Sequence, residues 1–118
     1  MTAGVPRPGM PARGSASGRP VMAALDLLGR RWTMRVLWEL SHAPAGFREL
    51  QRRCERMSSS VLSTRLDELA AARLIALHDD GYRLTSLGRD LVEALGPLNA
   101  WSHRWAEALS DTPPGDQL

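Results

Sequence analysis

Apolar positions recur at helical spacing from Pro20 onwards and switch to strict alternation near residue 74, and this change of period divides the chain into its elements. Val21, Ala24, Leu25 and Leu28 mark a first helix, with Pro20 at a favourable starting position and Gly29 as its stop. Trp32-Thr33 opens a second helix, carried by Val36, Leu37 and Leu40 and ended by Ser41-His42-Ala43-Pro44. Phe47, Leu50 and Cys54 mark a short third helix, interrupted around Glu55-Arg56-Met57-Ser58. A fourth begins at Ser58 or Ser59, both good caps, and carries Leu62, Leu66 and Leu69 on one side. Its outer face is Ser59, Ser60, Ser63, Thr64 and Asp67.

Leu74 to His78 and Tyr82 to Leu84 then read as two short strands, with Asp79-Asp80-Gly81 as the hairpin signal between them. Thr85 caps a last long helix in which Leu87, Leu91, Leu95, Leu98, Trp101, Trp105 and Leu109 form one apolar stripe. Gly96-Pro97 is predicted to kink or break it. The order predicts a mainly α chain of the α+β type. Residues 20–110 form its single domain. Residues 1–19, rich in Gly, Pro, Ser and Ala with three Arg and no acid, are expected to be a flexible basic arm, and residues 111–118 a polar tail.

At 118 residues and 43% hydrophobic content, the chain can build one core and no second domain. No run approaches the about 18 apolar residues of a membrane span, and the N-terminus lacks the apolar middle of a signal peptide, so a cytoplasmic protein without a membrane partner is expected. The one cysteine, Cys54, excludes an intramolecular disulfide framework.

The net charge of +2 hides an asymmetry: residues 1–83 hold 13 Arg against 8 acids, whereas residues 84–118 hold 2 Arg against 5. The first part is suited to meet an anion. All 15 basic residues are Arg, which suits phosphate and guanine edges, although a G+C-rich genome would also favour Arg codons. Two helices joined by a short turn project the second of them, and a helix fits the major groove of B-form DNA.

Four ordered motifs bring a family into view. Ala24-Leu25-Asp26-Leu27-Leu28-Gly29-Arg30-Arg31-Trp32-Thr33 with Val36-Leu37-Trp38-Glu39-Leu40 resembles the HxlR-type regulators, in which a helix ends in Gly-basic-Trp-Thr. Phe47-Arg48-Glu49-Leu50 resembles their Phe-x-Glu-Leu, and Ser63-Thr64-Arg65-Leu66-Asp67-Glu68-Leu69 their Ser-x-Arg-Leu-x-x-Leu recognition helix. Tyr82-Arg83-Leu84-Thr85-Ser86-Leu87-Gly88 resembles their Tyr-x-Leu-Thr-x-x-Gly after the wing. The likeness spans Pro20 to Trp105.

The resemblance implies a winged helix-turn-helix with a short two-stranded wing and a long C-terminal dimerisation helix. It further implies a bacterial transcription factor, often a repressor, that binds double-stranded operator DNA as a homodimer. By position, Ser59, Ser60, Ser63 and Thr64 would face base edges or phosphates, and Arg31, Arg48 and Arg65 would meet the phosphate backbone. Many relatives carry a sensing cysteine in a Cys-Pro context before the first helix, where this chain has Arg19-Pro20. The usual thiol switch is therefore not expected. The wing is also shorter than usual in the family, which leaves Arg83 and His78 to touch DNA there.

The stripe supports the dimer independently, because Leu91, Leu95, Leu98, Trp101 and Trp105 offer more apolar surface than one edge of a small domain can cover. The acidic balance of that region keeps it from DNA. Trp32, Trp38, Trp101 and Trp105 could line a pocket for a small aromatic effector, with ordinary packing as the favoured alternative. Cys54 is a candidate redox thiol because Arg52, Arg53 and Arg56 lie close in sequence, against the favoured alternative of a small buried residue. The scattered His42, His78 and His103 predict no metal, and neither a phosphate-cradling glycine loop nor a nucleophile context is present. An enzyme with a cofactor is therefore not expected. The competing function is a winged-helix adaptor that binds protein rather than DNA; small hydroxyl residues beside Arg argue for DNA.

Overall fold

The computed structural model describes residues 4–111. Six helices and one hairpin follow in the order α1 (Pro20–Leu28), α2 (Thr33–His42), α3 (Phe47–Arg53), α4 (Ser59–Ala71), β1 (Ile75–His78), β2 (Gly81–Leu84), α5 (Ser86–Ala94) and α6 (Gly96–Asp111). This is the winged helix-turn-helix arrangement that the periodicity and motifs predict. Leu27, Leu37, Leu40, Leu50, Leu62 and Leu69 form the centre of one core shared by the first four helices, and Ile75 and Leu84 close it from the hairpin. These are the inward members of the 3.6-residue stripes.

Local chemistry sets the element ends. Pro20 occupies the first turn of α1, where its missing N–H costs nothing. Ser58 caps α4 by accepting from the Val61 N–H at 3.2 Å. At the other end of α4 the Leu74 N–H reaches the Leu69 carbonyl and the Arg73 N–H the Ala70 carbonyl, both at 3.0 Å, with Arg73 at φ 63°. This is a Schellman closure with arginine in the place that glycine usually takes. It also moves the start of β1 from the expected Leu74 to Ile75, since the Leu74 N–H closes the helix and its carbonyl accepts from Thr85 at 3.0 Å.

β1 and β2 pair antiparallel, Ile75 opposite Leu84 and His78 opposite Gly81. A third backbone segment joins them that the sequence pattern does not reveal: Ala45, between α2 and α3, exchanges hydrogen bonds with Tyr82 at 3.0 and 2.8 Å. Thr85 then ties three pieces together. Its hydroxyl accepts from the Gly88 N–H at 3.1 Å, capping α5, and donates to the Arg73 carbonyl at 2.7 Å.

The expected interruption at Gly96-Pro97 is a break. Leu95 ends α5, and Pro97 falls in the first turn of α6. The stripe divides there. Leu91 packs on the chain's own core, whereas Leu98, Trp101, Trp105 and Leu109 are exposed along α6, whose main neighbour is α5.

Residues 4–18, expected to be a flexible arm, lie as a looped strap on α1. Its backbone closes on itself between Gly9 and Gly18 at 2.8 Å and donates from Arg13 to the Asp26 carboxylate at 3.0 Å. Left-handed glycines at 4, 9, 14 and 18 permit these turns, so hydrogen bonds take the place of the apolar burial that the composition lacks. The first three residues of the expected arm, and 112–118 of the expected polar tail, lie outside the described residues.

Candidate functional site

Ser59, Ser60, Ser63 and Thr64 are all exposed on one side of α4, while Leu62, Leu66 and Leu69 are buried on the other. Three of these hydroxyls have a defined local role. Gln51 donates to the Ser59 oxygen at 3.2 Å and to the Met57 carbonyl at 3.0 Å, bracing the turn from α3. Ser60 lies 3.2 Å from the capping hydroxyl of Ser58, and Thr64 donates to the Ser60 carbonyl at 2.9 Å. The Ser59 proton and the Thr64 lone pairs stay available to an outside partner.

The arginines separate into two groups. Arg35 and Arg53 stitch α2 to α3: Arg35 holds Glu39 at 2.8 Å and the Arg53 carbonyl at 2.6 Å, and Arg53 holds Glu49 at 3.1 Å and the Ala43 carbonyl at 2.9 Å. The hydrogen bond from Arg53, with the Arg52 charge beside it, keeps the Glu49 carboxyl below the usual carboxylate range. Bonding to Glu39 raises the Arg35 guanidinium above its ordinary value. Arg48 and Arg56, by contrast, form no ion pair with any described residue, and with Gln51 and Arg52 they line a cleft of about 510 Å³ beside the hydroxyl face. Arg31 is exposed, with its guanidinium carbon 5.8 Å from the centre of the Trp32 ring.

Two arginines expected at phosphates already have partners. Arg65 donates to the Arg31 carbonyl and to Glu68, both at 2.7 Å. Glu68 is buried and also pairs with Arg30, so α4 is locked to the turn after α1. On the wing, Arg83 donates to Asp80 at 2.5 Å, which keeps the Asp80 carboxyl below its ordinary range and raises Arg83. His78 is exposed at the hairpin tip.

Cys54 corrects the argument from its neighbours in sequence. It is fully buried at the end of α3, and burial pushes its thiol up, outweighing the opposing charges of Arg35 and Arg53. The thiolate that redox chemistry needs is disfavoured there.

The four tryptophans do not gather in one place. Trp32 packs on the core beside the α1–α2 turn, Trp38 stands edge-on to His42 at 5.1 Å, and Trp101 stacks on Trp105 at 5.4 Å along α6. Among the described residues no ring contact joins the first two to the second pair. A cavity of about 980 Å³ lies elsewhere, between the strap at Val5 to Pro8, α1, the end of α4 and α5, and no tryptophan lines it. Sequence reasoning missed it because its walls come from four separated segments, and missed Arg56 because that residue sits in the turn rather than on a helix.

The sequence model of the HxlR-like helix-turn-helix family matches residues 27–110, which hold the whole of this face, the wing and most of α6. The chain belongs to this family. Like its relatives it is a DNA-binding transcriptional regulator rather than an enzyme. It is 28% identical over 91 residues to the HTH-type transcriptional regulator YvaP of Bacillus subtilis, covering 71% of this chain and 84% of that one. It is 34% identical over 95 residues to the HTH-type transcriptional regulator Rv3095 of Mycobacterium tuberculosis, covering 75% of this chain and 60% of that one.

Among solved structures, quinone-bound YodB from Bacillus subtilis superposes with a TM-score of 0.67 at 27% identity, over 71% of this chain and 96% of that chain. A possible HxlR family transcriptional factor from Thermoplasma volcanium gives 0.66 at 25% identity, over 75% of this chain and 85% of that one. Among the described residues of this HxlR-like chain, no helix is long and apolar enough to cross a membrane, and no cluster of His, Cys, Asp and Glu could hold a metal ion.

Proposed function

We propose that this HxlR-like chain is a repressor that binds a palindromic operator as a homodimer and releases it in response to a small molecule. The observation that carries the DNA-binding mode is the exposed row Ser59, Ser60, Ser63 and Thr64 beside Arg48 and Arg56. Small hydroxyl side chains let the α4 backbone approach the major-groove floor, where donors and acceptors distinguish the base pairs. Arg48, Arg56 and Arg31 neutralise phosphates and set the register. Arg83 and His78 reach backbone from the wing, Arg83 by exchanging Asp80 for a phosphate oxygen. Arg65 takes a positioning part, since both of its bonds hold α4 in place.

The dimer is supported by Leu98, Trp101, Trp105 and Leu109, large apolar groups exposed on α6, each at about half of its full accessible area. A monomer seldom leaves such a run in water. Two copies of α4 set one DNA turn apart, ~34 Å, would then read a palindrome. The protein-adaptor reading is the weaker one, because the exposed α4 face is hydroxyl-rich and cationic rather than apolar. The small-molecule response rests on the likeness to YodB, whose structure contains a quinone.

Selection of genomic fragments by the purified protein, with sedimentation of the bound complex, tests this reading. Recovery of a palindromic motif bound by two chains is expected, and fragments sharing no motif would overturn it.

A further inference from the structure

We infer that the cavity under the N-terminal strap binds an amphipathic organic anion, and that Arg30 couples its occupancy to the DNA-reading helix. The inference rests on the proposed regulator for its effect on DNA, but not for the site itself.

The cavity has the size and character of a small-molecule site. At about 980 Å³ it lies near the upper end of the range for such pockets, and its walls are largely apolar, with Leu27, Leu28, Leu87 and Leu91 among them. Among the described residues three charged ones line it, Arg7, Arg73 and Asp90, and none of them forms an ion pair with another described residue. Two guanidinium groups against one carboxylate leave a net positive charge in an otherwise apolar space. An apolar body with one acidic group, such as an aromatic carboxylate, matches that balance.

The strap is joined to α4 through one side chain. Arg30 donates to the Gly4 carbonyl at 2.6 Å from one terminal nitrogen and pairs with Glu68 through the other, while its Nε lies 3.8 Å from Asp26. Glu68 in turn holds Arg65, which follows Ser63 and Thr64 on α4. A guest that lifts the strap removes the Gly4 acceptor, and the Arg30 guanidinium turns towards Asp26. Glu68 then loses one of its two cations, and the tie that orients α4 slackens. Ligand and operator accordingly oppose one another, and by linkage each weakens the other by the same factor.

The full chain, labelled with carbon-13 at its leucine methyls, is titrated with 2-naphthoate, and the neutral 2-naphthalenemethanol serves as control. Saturable binding with nuclear Overhauser contacts to Leu27, Leu28 and Leu91 is expected, at least about tenfold weaker for the alcohol. Ala24→Trp, which fills the cavity from α1, should abolish these contacts. Naphthoate should weaken binding to the selected operator about tenfold. Arg30→Gln should keep naphthoate binding and lose that antagonism.

Contacts confined to Leu98 and Leu109 on α6, or none at millimolar naphthoate, would overturn the site. So would contacts at Leu27 and Leu91 from a second copy's α6. Operator affinity indifferent to bound naphthoate would overturn the coupling. A parent protein that selects no DNA motif would sink the proposed regulator instead, and the methyl contacts would still decide the cavity.

Discussion

Gly88 on α5 is pressed against the backbone of Leu74, so closely that a Cβ at position 88 would overlap the Leu74 carbonyl oxygen. That carbonyl already accepts from the Thr85 N–H, and Thr85 caps α5 through Gly88. The Thr-x-x-Gly motif is thus one joint in which the wing, the end of α4 and the start of α5 are locked. Gly88→Ala should cost about 2–3 kcal/mol, because the neighbour is backbone and cannot turn away. Denaturant unfolding of the two proteins measures this, and equal midpoints would remove the steric argument.

Arg73 points the opposite way. It holds φ 63° in the Schellman closure of α4, a conformation that costs an L-residue ~1–2 kcal/mol and glycine almost nothing. Glycine's greater freedom in the unfolded chain offsets part of the gain. Arg73→Gly should therefore stabilise the fold by roughly 0.5–1 kcal/mol, read as a rise in melting temperature. A lower melting temperature would show that the arginine side chain supports the fold more than its backbone strains it.

Cys54 provides a test by pH. Burial raises its thiol pKa, so the folded state favours the neutral form. As pH rises past about 8.5 the unfolded thiol ionises first, and stability that is complete below that pH declines as the pH climbs towards the folded value. Cys54→Ala should remove this alkaline loss. In the native protein, Ellman's reagent should react with Cys54 only at the rate of unfolding. Immediate native labelling at the rate found in denaturant would contradict the burial.

Arg48 and Thr64 should separate positioning from reading. Arg48→Ala should weaken binding to all DNA sequences alike and lower the salt slope by about one, as expected for one lost phosphate contact. Thr64→Ala should instead change the preference among operator variants, by on the order of 1 kcal/mol at one position. Binding to the selected motif and to scrambled DNA across a salt series distinguishes the two. Parallel behaviour of both variants would contradict the proposed docking of α4.

Much of this was legible residue by residue. The apolar stripes from Val36 to Leu69, the capping Ser58, the Asp-Gly hairpin signal and the break before Pro97 are written in contacts no more than four residues apart, where backbone geometry alone makes spacing informative. The motifs located the α4 face for the same reason, since Ser59, Ser60, Ser63 and Thr64 share a side of any helix. What resisted reading were effects of distant partners. The Arg65–Glu68 pair is three residues long, yet the Arg30–Glu68 pair spans 38 and is invisible to periodicity.

Sequence by itself determined the order of elements and which hydroxyl residues share the exposed side of α4, because turns, caps and stripes are local. Tertiary structure alone decided which cations are spoken for, as with Arg65, and that Cys54 is shielded despite its basic neighbours in sequence. It alone encloses a cavity between Val5, Leu27 and Leu91. Charge state and empty volume depend on what long-range folding brings together or excludes from water, and no short window of residues contains that information.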